Sequence, residues 1–405
     1  MRICLITSSY ARFEDDGNAR FVRSIAEAQA ALGHEVHVLA PYTPQVQPYN
    51  SPVHVHWFKY VWPTRWGVMG HAAALENDRN LRGVALWQAP LFVISLLFHL
   101  QCLIWRYDFD ILHAHWVIPS GVLVSWVARL NRKPFFISLH GSDMYLVQRN
   151  KVWRYLARTA FQYAVGVTAC SAPLAHASIE VGTPSDRVAV IPYGADPLRF
   201  KLTESSIELR ELLHIPQEDL IILAVGRLVG KKGFVHLVRA MPKILASVLQ
   251  ARLVIVGEGP ERSLLENVSR DLNVDSRVIL VGNVQWSQVS SYLFLSDIFV
   301  VPSIHDSSGN LDGLPNVVLE AMAAGRPIVA TSIGGISIAV ENNATGIIVP
   351  EADSGALADA IIHLATAPRQ RQEMGHLALI RIETELNWTA FARRVDEMYL
   401  NCRIE

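Results

Sequence analysis

The sequence is poor in cysteine and in charge. Its 405 residues include four cysteines, which are widely scattered and form no C-x-x-C pair: Cys4, Cys102, Cys170 and Cys402. This spacing argues against a disulfide framework or a cysteine metal site and fits a reducing compartment. Charged residues make up 18% of the chain and the formal net charge is −1, so there is no overall attraction to nucleic acid. Any anion site must therefore be local.

Signal peptides, tandem repeats and low-complexity tracts are also missing. Arg2 is followed by only a short apolar run, which predicts a first strand and not a leader. Apolar residues make up 51% of the chain, which fits a well-buried α/β protein and argues against disorder. At this length, two domains of about two hundred residues each are expected.

One long segment lacks charge altogether. Val84 to Trp105 contains no Asp, Glu, Lys or Arg and is long enough to span a bilayer. It also holds Pro90 and His99, and both flanks read as parts of one domain, so a buried helix or one resting in the membrane interface is favoured. The tryptophans and basic residues nearby include Trp57, Lys59, Trp62, Arg65, Trp66 and Trp87. They are typical of an interfacial surface, with packing in the core as the alternative.

Strand and helix signals alternate along both halves of the chain. The first half predicts strands at Ile3–Thr7, Val36–Ala40, Ile111–His113, Phe135–Leu139, Ala164–Ala169 and Val188–Ile191. The second half predicts them at Ile221–Val225, Arg252–Val256, Val278–Val281, Ile298–Val301 and Pro327–Ala330. The helices between them imply parallel crossovers and doubly wound sheets, with ligands at the carboxyl ends of the strands. A turn-rich linker at 192–203 would separate domains 1–197 and 204–385.

The segment from Asp312 to Glu320 (DGLPNVVLE) places two carboxylates across a loop-to-helix junction. Gly313 frees the backbone, and Pro315 presets φ for the first helical turn, which puts Glu320 about two turns inside the helix. Backbone N–H groups at such a helix start attract a phosphate or a polarised sugar oxygen. The two acids could therefore hold two polar groups of one extended ligand. The alternative is an ordinary helix whose acids face water.

Two further motifs follow predicted strands. The loop GRLVGKKG places Arg227, Lys231 and Lys232 between glycines, as a diphosphate site requires, although a solvated basic turn has the same composition. It is not a P-loop. In the motif HGSD, His140 could donate to a sugar hydroxyl or interact with developing charge, or it could be structural. His113 and His115 lack a third ligand motif and so predict no metal site.

Taken in order, these motifs resemble those of the retaining glycosyltransferases of family four (glycosyl transferases group 1), which have a GT-B fold. The matching stretches are Ser9–Asn18, HAHW, HGSD, IPYGAD, GRLVGKKG, VGEGP, DGLPNVVLEA and the terminal helix. The resemblance implies two Rossmann-like domains facing across a deep cleft, with the C-terminal helix at 386–405 packing back on the first. Three departures stand out: Asp312 replaces the usual Glu, Gly17-Asn18 replaces Gly-Gly, and the acid that often follows Gly334-Gly335-Ile336 is absent.

The resemblance also implies roles. A nucleoside-diphosphate sugar would be the donor, with Arg227 and Lys232 on its diphosphate, Asp312 on the sugar, Glu320 on the ribose and His140 reaching the sugar from the first domain. Further donor-binding residues would be Gly17, Glu258, Val284, Gly313, Leu314 and Asn316. No metal or other cofactor is expected, because the two basic side chains neutralise the diphosphate and no D-x-D motif lies in a suitable loop.

Other functions stay open at this point. A nucleotide-sugar epimerase or a glycogen-type phosphorylase shares the architecture, but the epimerases lack the acid pair and the phosphorylases carry a pyridoxal lysine. A non-catalytic sugar-nucleotide-binding or membrane-scaffold protein is the alternative from another class. The expected acceptor is a glycan or a lipid-linked molecule of cell-surface polysaccharide or glycolipid synthesis. The expected location is the cytoplasm or the cytoplasmic face of a membrane.

Overall fold

The computed structural model of the chain describes residues 1–71, 75–76, 80–81, 83–200, 205–305 and 313–401. Asp312 and Cys402 therefore lie outside the described residues. The chain divides into two compact units: unit 1 is Met1–Ile191 together with the chain from Trp388 onward, and unit 2 is Pro192–Asn387. The division after Ile191 falls at the start of the turn-rich segment.

Unit 1 is built on a parallel sheet of seven strands in the order β3-β2-β1-β6-β7-β8-β9. Its strands are β1 Arg2–Ile6, β2 Glu35–Pro41, β3 His54–Phe58, β6 Ile111–His115, β7 Phe135–Leu139, β8 Gly166–Ala169 and β9 Val188–Val190. A separate antiparallel pair is formed by β4 Leu75–Glu76 and β5 Asn80–Leu81. The helices are α1 Arg20–Ala31, α2 Gly83–Tyr107, α3 Val122–Asn131, α4 Ser142–Arg149, α5 Lys151–Tyr163, α6 Ala172–Val181 and the terminal α15 Trp388–Asn401.

Unit 2 has a parallel sheet of six strands in the order β12-β11-β10-β13-β14-β15. Its strands are β10 Leu220–Val225, β11 Ala251–Val256, β12 Val278–Gly282, β13 Ile298–Val301, β14 Ile328–Thr331 and β15 Gly346–Val349. Its helices are α7 Ser205–Leu212, α8 Phe234–Ser247, α9 Arg262–Asp271, α10 Trp286–Leu295, α11 Asn316–Ala323, α12 Ile336–Ala339, α13 Ser354–Thr366 and α14 Pro368–Thr384.

The central strands are continuous apolar runs because helices cover both faces of each sheet. In β1, the side chains from Ile3 to Ile6 are fully buried. Parallel crossovers are right-handed, so the change of direction at β1 puts α1 on one face and α2, α3 and α5 on the other. The contacts agree, since α3 touches both α2 and α5, whereas α1 touches α15. The predicted pair of parallel α/β sheets is confirmed.

The terminal helix α15 packs against α1 and β6. Gln29 Nε2 donates to the Ala392 carbonyl at 3.2 Å, and His34 Nε2 lies 2.9 Å from Asp396 Oδ1. Deeper in the unit, the Tyr399 hydroxyl contacts Nδ1 of His113 through a short hydrogen bond. The last helix thus completes the core of unit 1.

The long uncharged segment forms α2, which by length and composition could cross a membrane. Its inner face is nevertheless buried in unit 1, at Ala85, Gln88, Phe92, Leu96, Leu100 and Ile104. The strands before and after it, β3 and β6, belong to one sheet. The structure therefore supports the expectation of a helix that lies on the domain.

The prediction for the acidic motif needs correction. Helix α11 begins at Asn316, and Pro315 (φ −66°, ψ 119°) is its extended capping residue and not part of the first turn. Glu320 consequently lies about one turn inside the helix, where two turns were expected. The edge strands β3 and β15 and the small β4–β5 pair were not predicted.

Candidate active site

The predicted donor residues of unit 2 follow strands that end at one edge of its sheet. The strand order reverses between β10 and β13, which is where parallel α/β sheets bind ligands. The loops after these two strands touch each other, since the Ile304 N–H donates to the Lys231 carbonyl at 2.9 Å. The first of these loops carries Arg227 and Lys232, and the second leads towards α11.

The basic loop after β10 fits closely against its neighbour. Arg227 is exposed, Lys232 is half-buried, and Lys231 is buried. Gly233 closes the loop at φ +65°, and a Cβ at this position would lie 2.0 Å from the Pro302 carbonyl oxygen. Only glycine therefore permits this approach between the two loops.

The loops after β11 and β12 are hydrogen-bonded into the same edge. The Gly257 N–H donates to the Gly282 carbonyl at 2.9 Å, and the Leu228 N–H donates to the Glu258 carbonyl at 3.0 Å. The Glu258 carboxylate is exposed and lies 3.1 Å from Nη1 of Arg262. Val284 is half-buried on the third loop.

Helix α11 directs its N-terminus out of a buried turn. Gly313, Leu314 and Pro315 are buried, and the Gly313 carbonyl accepts a short hydrogen bond from the Gly335 N–H. The Asn316 Oδ1 is buried and has no hydrogen-bond partner in the part of the chain that the structure describes. The first N–H groups of a helix have no intrahelical acceptor and favour negative charge, so this end can receive an anionic or polar ligand atom.

Glu320 has a partner that the sequence reasoning missed. The indole Nε1–H of Trp286 donates to Glu320 Oε1 at 3.1 Å. The Trp286 ring lies edge-on to Phe200, with a centroid separation of 6.3 Å, and the Arg199 guanidinium lies 5.4 Å from its centroid. The position of Trp286 in the sequence could have indicated this partner. Trp286 comes shortly after β12 and therefore lies at the same sheet edge as Val284.

In unit 1, Gly17 lies on the loop that follows β1. It is exposed, while its neighbour Asp16 is buried. Asp16 accepts hydrogen bonds from Arg12 Nε at 2.6 Å and from the Asn18 N–H at 3.0 Å. Burial opposes ionisation of Asp16, but these hydrogen bonds outweigh it and lower the pKa of the carboxyl. A charged carboxylate thus shapes the loop around Gly17.

His140 follows β7 directly and is enclosed by aromatic rings. Its Nε2 lies 3.0 Å from Nδ1 of His115, and the two imidazoles stack with centroids 5.2 Å apart. Phe21 and Trp116 approach to 4.8 and 4.7 Å between centroids. Trp116 adopts φ 65° and ψ 128°, a region that a bulky side chain rarely occupies and that occurs mainly at functional sites.

These histidines are neutral at physiological pH. Burial is the main cause that holds the pKa of His140 well below its ordinary value, with His115 and His113 adding to the effect. Burial also lowers the pKa of His115 to about 3. His140 can therefore offer a hydrogen bond to a ligand but not a full positive charge.

Asp143 fixes the turn that carries His140. It is buried and accepts hydrogen bonds from the Val117 N–H at 2.9 Å and the Gly141 N–H at 3.1 Å. Burial raises the pKa of this carboxyl even though the backbone N–H groups favour its charge. Asp143 ties the loop after β6 to the loop after β7.

The predicted residues thus fall into two groups, one at the carboxyl edge of each sheet. Gly17 and His140 belong to unit 1, whereas Arg227, Lys232, Glu258, Val284 and the residues from Gly313 to Glu320 belong to unit 2. The predicted position of Asp312 lies outside the described residues. Within the described ranges, no group of three or more His, Cys, Asp or Glu side chains could hold a metal ion.

Comparison with known proteins agrees with this arrangement. The sequence profile of the glycosyl transferases group 1 matches residues 205–378, and that of the glycosyl transferase 4-like domain matches residues 16–194. An uncharacterised glycosyltransferase of Methanocaldococcus jannaschii is 25% identical, over 98% of each chain. A putative teichuronic acid biosynthesis glycosyltransferase of Bacillus subtilis is 28% identical, over 89% of this chain and 88% of its own.

The fold has a close counterpart among solved structures. A sucrose-phosphate synthase from Thermosynechococcus elongatus superposes with a TM-score of 0.76 at 23% identity, covering 100% of this chain and 99% of its own. Both sequence profiles, the relatives and the two parallel α/β sheets lead to the same assignment: the chain is a glycosyltransferase that belongs to the glycosyl transferases group 1 and has the GT-B fold.

Proposed function

We propose that the protein is a retaining glycosyltransferase that moves a sugar from a nucleoside-diphosphate sugar to a glycan or lipid-linked acceptor, without a divalent metal. The observation that carries this proposal is the contact between two loops of unit 2 at the strand-order reversal. One loop supplies Arg227 and Lys232, and the other leads to the N-terminus of α11. Together they offer positive charge and N–H donors to a leaving diphosphate.

The chemical step requires charge stabilisation at that point. The bond between the anomeric carbon and the diphosphate oxygen breaks, and the diphosphate takes the electron pair. Arg227, Lys232 and the backbone N–H groups of Gly313, Leu314 and Asn316 would stabilise this charge. Removing one such donor from an enzyme typically costs about 3 to 4 kcal/mol of transition-state stabilisation, a factor of about 10² to 10³ in rate.

The proposed transfer takes place on one face of the sugar. The acceptor oxygen forms its bond to the anomeric carbon from the side that the diphosphate leaves, so the anomeric configuration is retained. The acceptor proton passes to the departing phosphate oxygen, which serves as the base. His140, kept neutral by its surroundings, would donate a hydrogen bond to the sugar. Glu320 would bind the ribose hydroxyls, and Asp312 the sugar hydroxyls.

The acceptor class rests on the relatives. The Bacillus subtilis relative is named for teichuronic acid biosynthesis, and a Corynebacterium glutamicum relative is named as a mannosyltransferase acting on a phosphatidylinositol mannoside. These names support a role in polysaccharide or glycolipid synthesis. The location proposed with it is the cytoplasm or the cytoplasmic face of a membrane.

A thermal-shift panel of UDP-, GDP-, ADP- and CMP-sugars tests the donor site. A donor at a hundred times its Kd stabilises the folded protein by about 2.7 kcal/mol, which gives a measurable rise in Tm. One nucleotide class should raise the Tm of the wild type, and Glu320→Ala should abolish that rise. The matched control Glu373→Ala removes an exposed acid of α14 and should respond as the wild type. If none of the four nucleotide classes raised the Tm of the wild type, the proposal would be contradicted.

Turnover of the identified donor tests the chemistry. Arg227→Ala should lower kcat about a hundredfold, while Arg270→Ala, which changes another exposed arginine of unit 2, should leave it unchanged. Activity should survive EDTA, and proton NMR of the product should show the anomeric configuration of the donor. Strict dependence on Mg²⁺ or Mn²⁺, or an inverted product, would overturn the corresponding part of the proposal.

A further inference from the structure

Helix α2 carries a second apolar face that is exposed among the residues that the structure describes. Its large outward side chains recur at helical spacing and are all exposed: Trp87, Leu91, Ile94, Phe98 and Trp105. Trp87 is 85% exposed and Trp105 is 76% exposed. Contiguous exposed apolar surface of this kind usually marks an interaction site.

The apolar surface continues onto neighbouring elements at both ends of the helix. At its start, Gln88 Nε2 donates to the Trp66 carbonyl at 2.8 Å and so holds the turn at Thr64–Trp66, which exposes Trp62 and Trp66. Near its end, Gln101 and Asn131 exchange side-chain hydrogen bonds of 3.0 and 2.8 Å, which join α2 to α3. Helix α3 adds two further exposed side chains, Trp126 and Leu130. These side chains together form the outer helical surface of unit 1.

The exposed charged residues on α3, α4 and α5 are all basic. Between Ile111 and Ile179 the only acidic residue in the sequence is Asp143, which is buried. The exposed basic residues of this stretch are Arg129, Arg132, Arg149, Lys151, Arg154 and Arg158. They lie on α3, α4 and α5 or on the turn that follows α3, and α2, α3 and α5 cover one face of the sheet. This region is therefore cationic although the whole chain has a formal net charge of −1.

We propose that the outer helical surface of unit 1 docks on the headgroup interface of an anionic lipid bilayer. Tryptophan and phenylalanine on one helix face, with lysine and arginine beside them, are the composition that favours the boundary between headgroups and acyl chains. Each Lys or Arg near an anionic surface adds to the attraction. A symmetric dimer through this surface would bring two cationic regions together, which like-charge repulsion opposes.

Docking would leave the candidate site residues of unit 1 accessible. The outer surface belongs to the helices on one face of the sheet, whereas Gly17 and His140 follow the carboxyl ends of β1 and β7. The proposal is independent of the proposed glycosyl transfer, because lipid binding requires neither donor nor acceptor.

Vesicle co-sedimentation tests the docking with the full chain and no nucleotide. Wild type should sediment with phosphatidylglycerol–phosphatidylcholine vesicles at low salt and much less with pure phosphatidylcholine. Ile94→Ser with Phe98→Ser should lower the partition coefficient at least about tenfold, because two large apolar side chains no longer enter the interface. The control Leu249→Ser removes an exposed leucine of unit 2 and should bind as the wild type.

A charge variant provides a second readout. Arg129→Gln with Lys151→Gln should weaken binding to anionic vesicles about tenfold or more and flatten its salt dependence, while Arg270→Gln in unit 2 should not. The proposal would be overturned if the wild type failed to bind anionic vesicles. It would also be overturned if the apolar and charge variants of unit 1 bound as well as the control variants of unit 2. A concentration-dependent dimer that Ile94→Ser with Phe98→Ser abolishes would assign the surface to a second copy of the chain instead.

Discussion

At the scale of single residues, a side-chain contact at the candidate site of unit 1 joins His115 to His140. Since His115 Nε2 is buried without a hydrogen-bond partner in the described structure, the favoured tautomer protonates His115 at Nδ1. His140 Nε2 then accepts this hydrogen bond, which fixes the ring and leaves its own proton on Nδ1. His115 is thus a positioning residue for the proposed hydrogen bond from His140 to the sugar.

Replacing His115 by Phe should lower kcat about tenfold with little change in the donor KM. The Phe ring keeps the aromatic contacts but removes the hydrogen bond between His115 Nδ1 and His140 Nε2, and the loss of such a hydrogen bond costs about 1 to 3 kcal/mol. His115→Asn, whose amide nitrogen can take the place of Nδ1, should recover most of the rate. Steady-state kinetics on the three proteins check this. If the Phe and Asn variants lost the same amount of kcat, His115 would contribute only by packing and not by its hydrogen bond to His140.

A second prediction concerns the indole that holds Glu320. Trp286→Phe keeps the aromatic ring beside Phe200 but removes the N–H that donates to Glu320 Oε1. Without this hydrogen bond the carboxylate loses its orientation, and the donor Kd should rise about three- to tenfold, equivalent to about 0.7 to 1.4 kcal/mol. Isothermal titration calorimetry measures the change.

The control for that experiment is Trp126→Phe, which alters an exposed tryptophan of unit 1. It should bind the donor as the wild type does. If Trp286→Phe also binds normally, the ribose role proposed for Glu320 does not depend on the indole hydrogen bond.

These two contacts show what the sequence could not supply. The residue types and spacing of the basic loop and the acidic motif predicted local anion-binding chemistry, and the order of the motifs along the chain predicted the family. The pairing of His115 with His140 depends on β6 and β7 being neighbours. The pairing of Trp286 with Glu320 depends on the approach of α10 to α11. That information lies in the three-dimensional structure and not in a spacing of residues.

At the scale of elements, two glycines share one backbone conformation but differ in their surroundings. Gly233 has φ +65° and Gly325 has φ +66°. A Cβ on Gly233 would lie 2.0 Å from the Pro302 carbonyl oxygen, whereas the nearest atom to a Cβ on Gly325 is 3.7 Å away. The pair therefore separates the cost of a left-handed backbone from the cost of close approach between loops.

Gly325→Ala should destabilise unit 2 by about 1 kcal/mol, the typical cost of a left-handed residue that is not glycine. Gly233→Ala should cost at least about 2 kcal/mol more, because the loop after β10 must move away from Pro302. It should also weaken donor binding, since Lys232 moves with the loop. Urea denaturation and donor titration measure both effects. Equal costs for the two variants would contradict the close approach.

The elements that sequence patterns predicted best were the central strands. β7 and β13 have the bounds expected from their apolar runs. The edge strand β3 was missed because His54 and His56 interrupt its apolar residues. The edge strand β15 is itself a short apolar run, Gly346–Val349, which was not assigned from the sequence. The start of α11 was predicted at Pro315 instead of Asn316, because proline is common both as the first residue of a helix and just before a helix.

At the scale of the whole molecule, unit 1 should lose stability on acidification before unit 2 does. His113, His115 and His140 all have a pKa lowered mainly by burial, and that of His115 is about 3. In the unfolded chain, histidine titrates near 6.5. Between that value and the folded pKa the unfolded state binds a proton that the folded state does not. The free energy of unfolding is therefore at its full value above pH 6.5 and falls as the pH drops.

The steepest fall is about 1.4 kcal/mol per pH unit for each such histidine. His115→Phe removes one of these protonation sites, so its Tm should decline less between pH 6.5 and 4 than that of the wild type, whatever its starting value. His376→Gln, at an exposed histidine of unit 2, should decline in parallel with the wild type. Differential scanning calorimetry at pH 6.5, 5.0 and 4.0 compares the three proteins. Parallel declines for His115→Phe and wild type would mean that His115 is protonated as easily in the folded protein as in the unfolded chain, and the neutral histidine pair at the candidate site would be wrong.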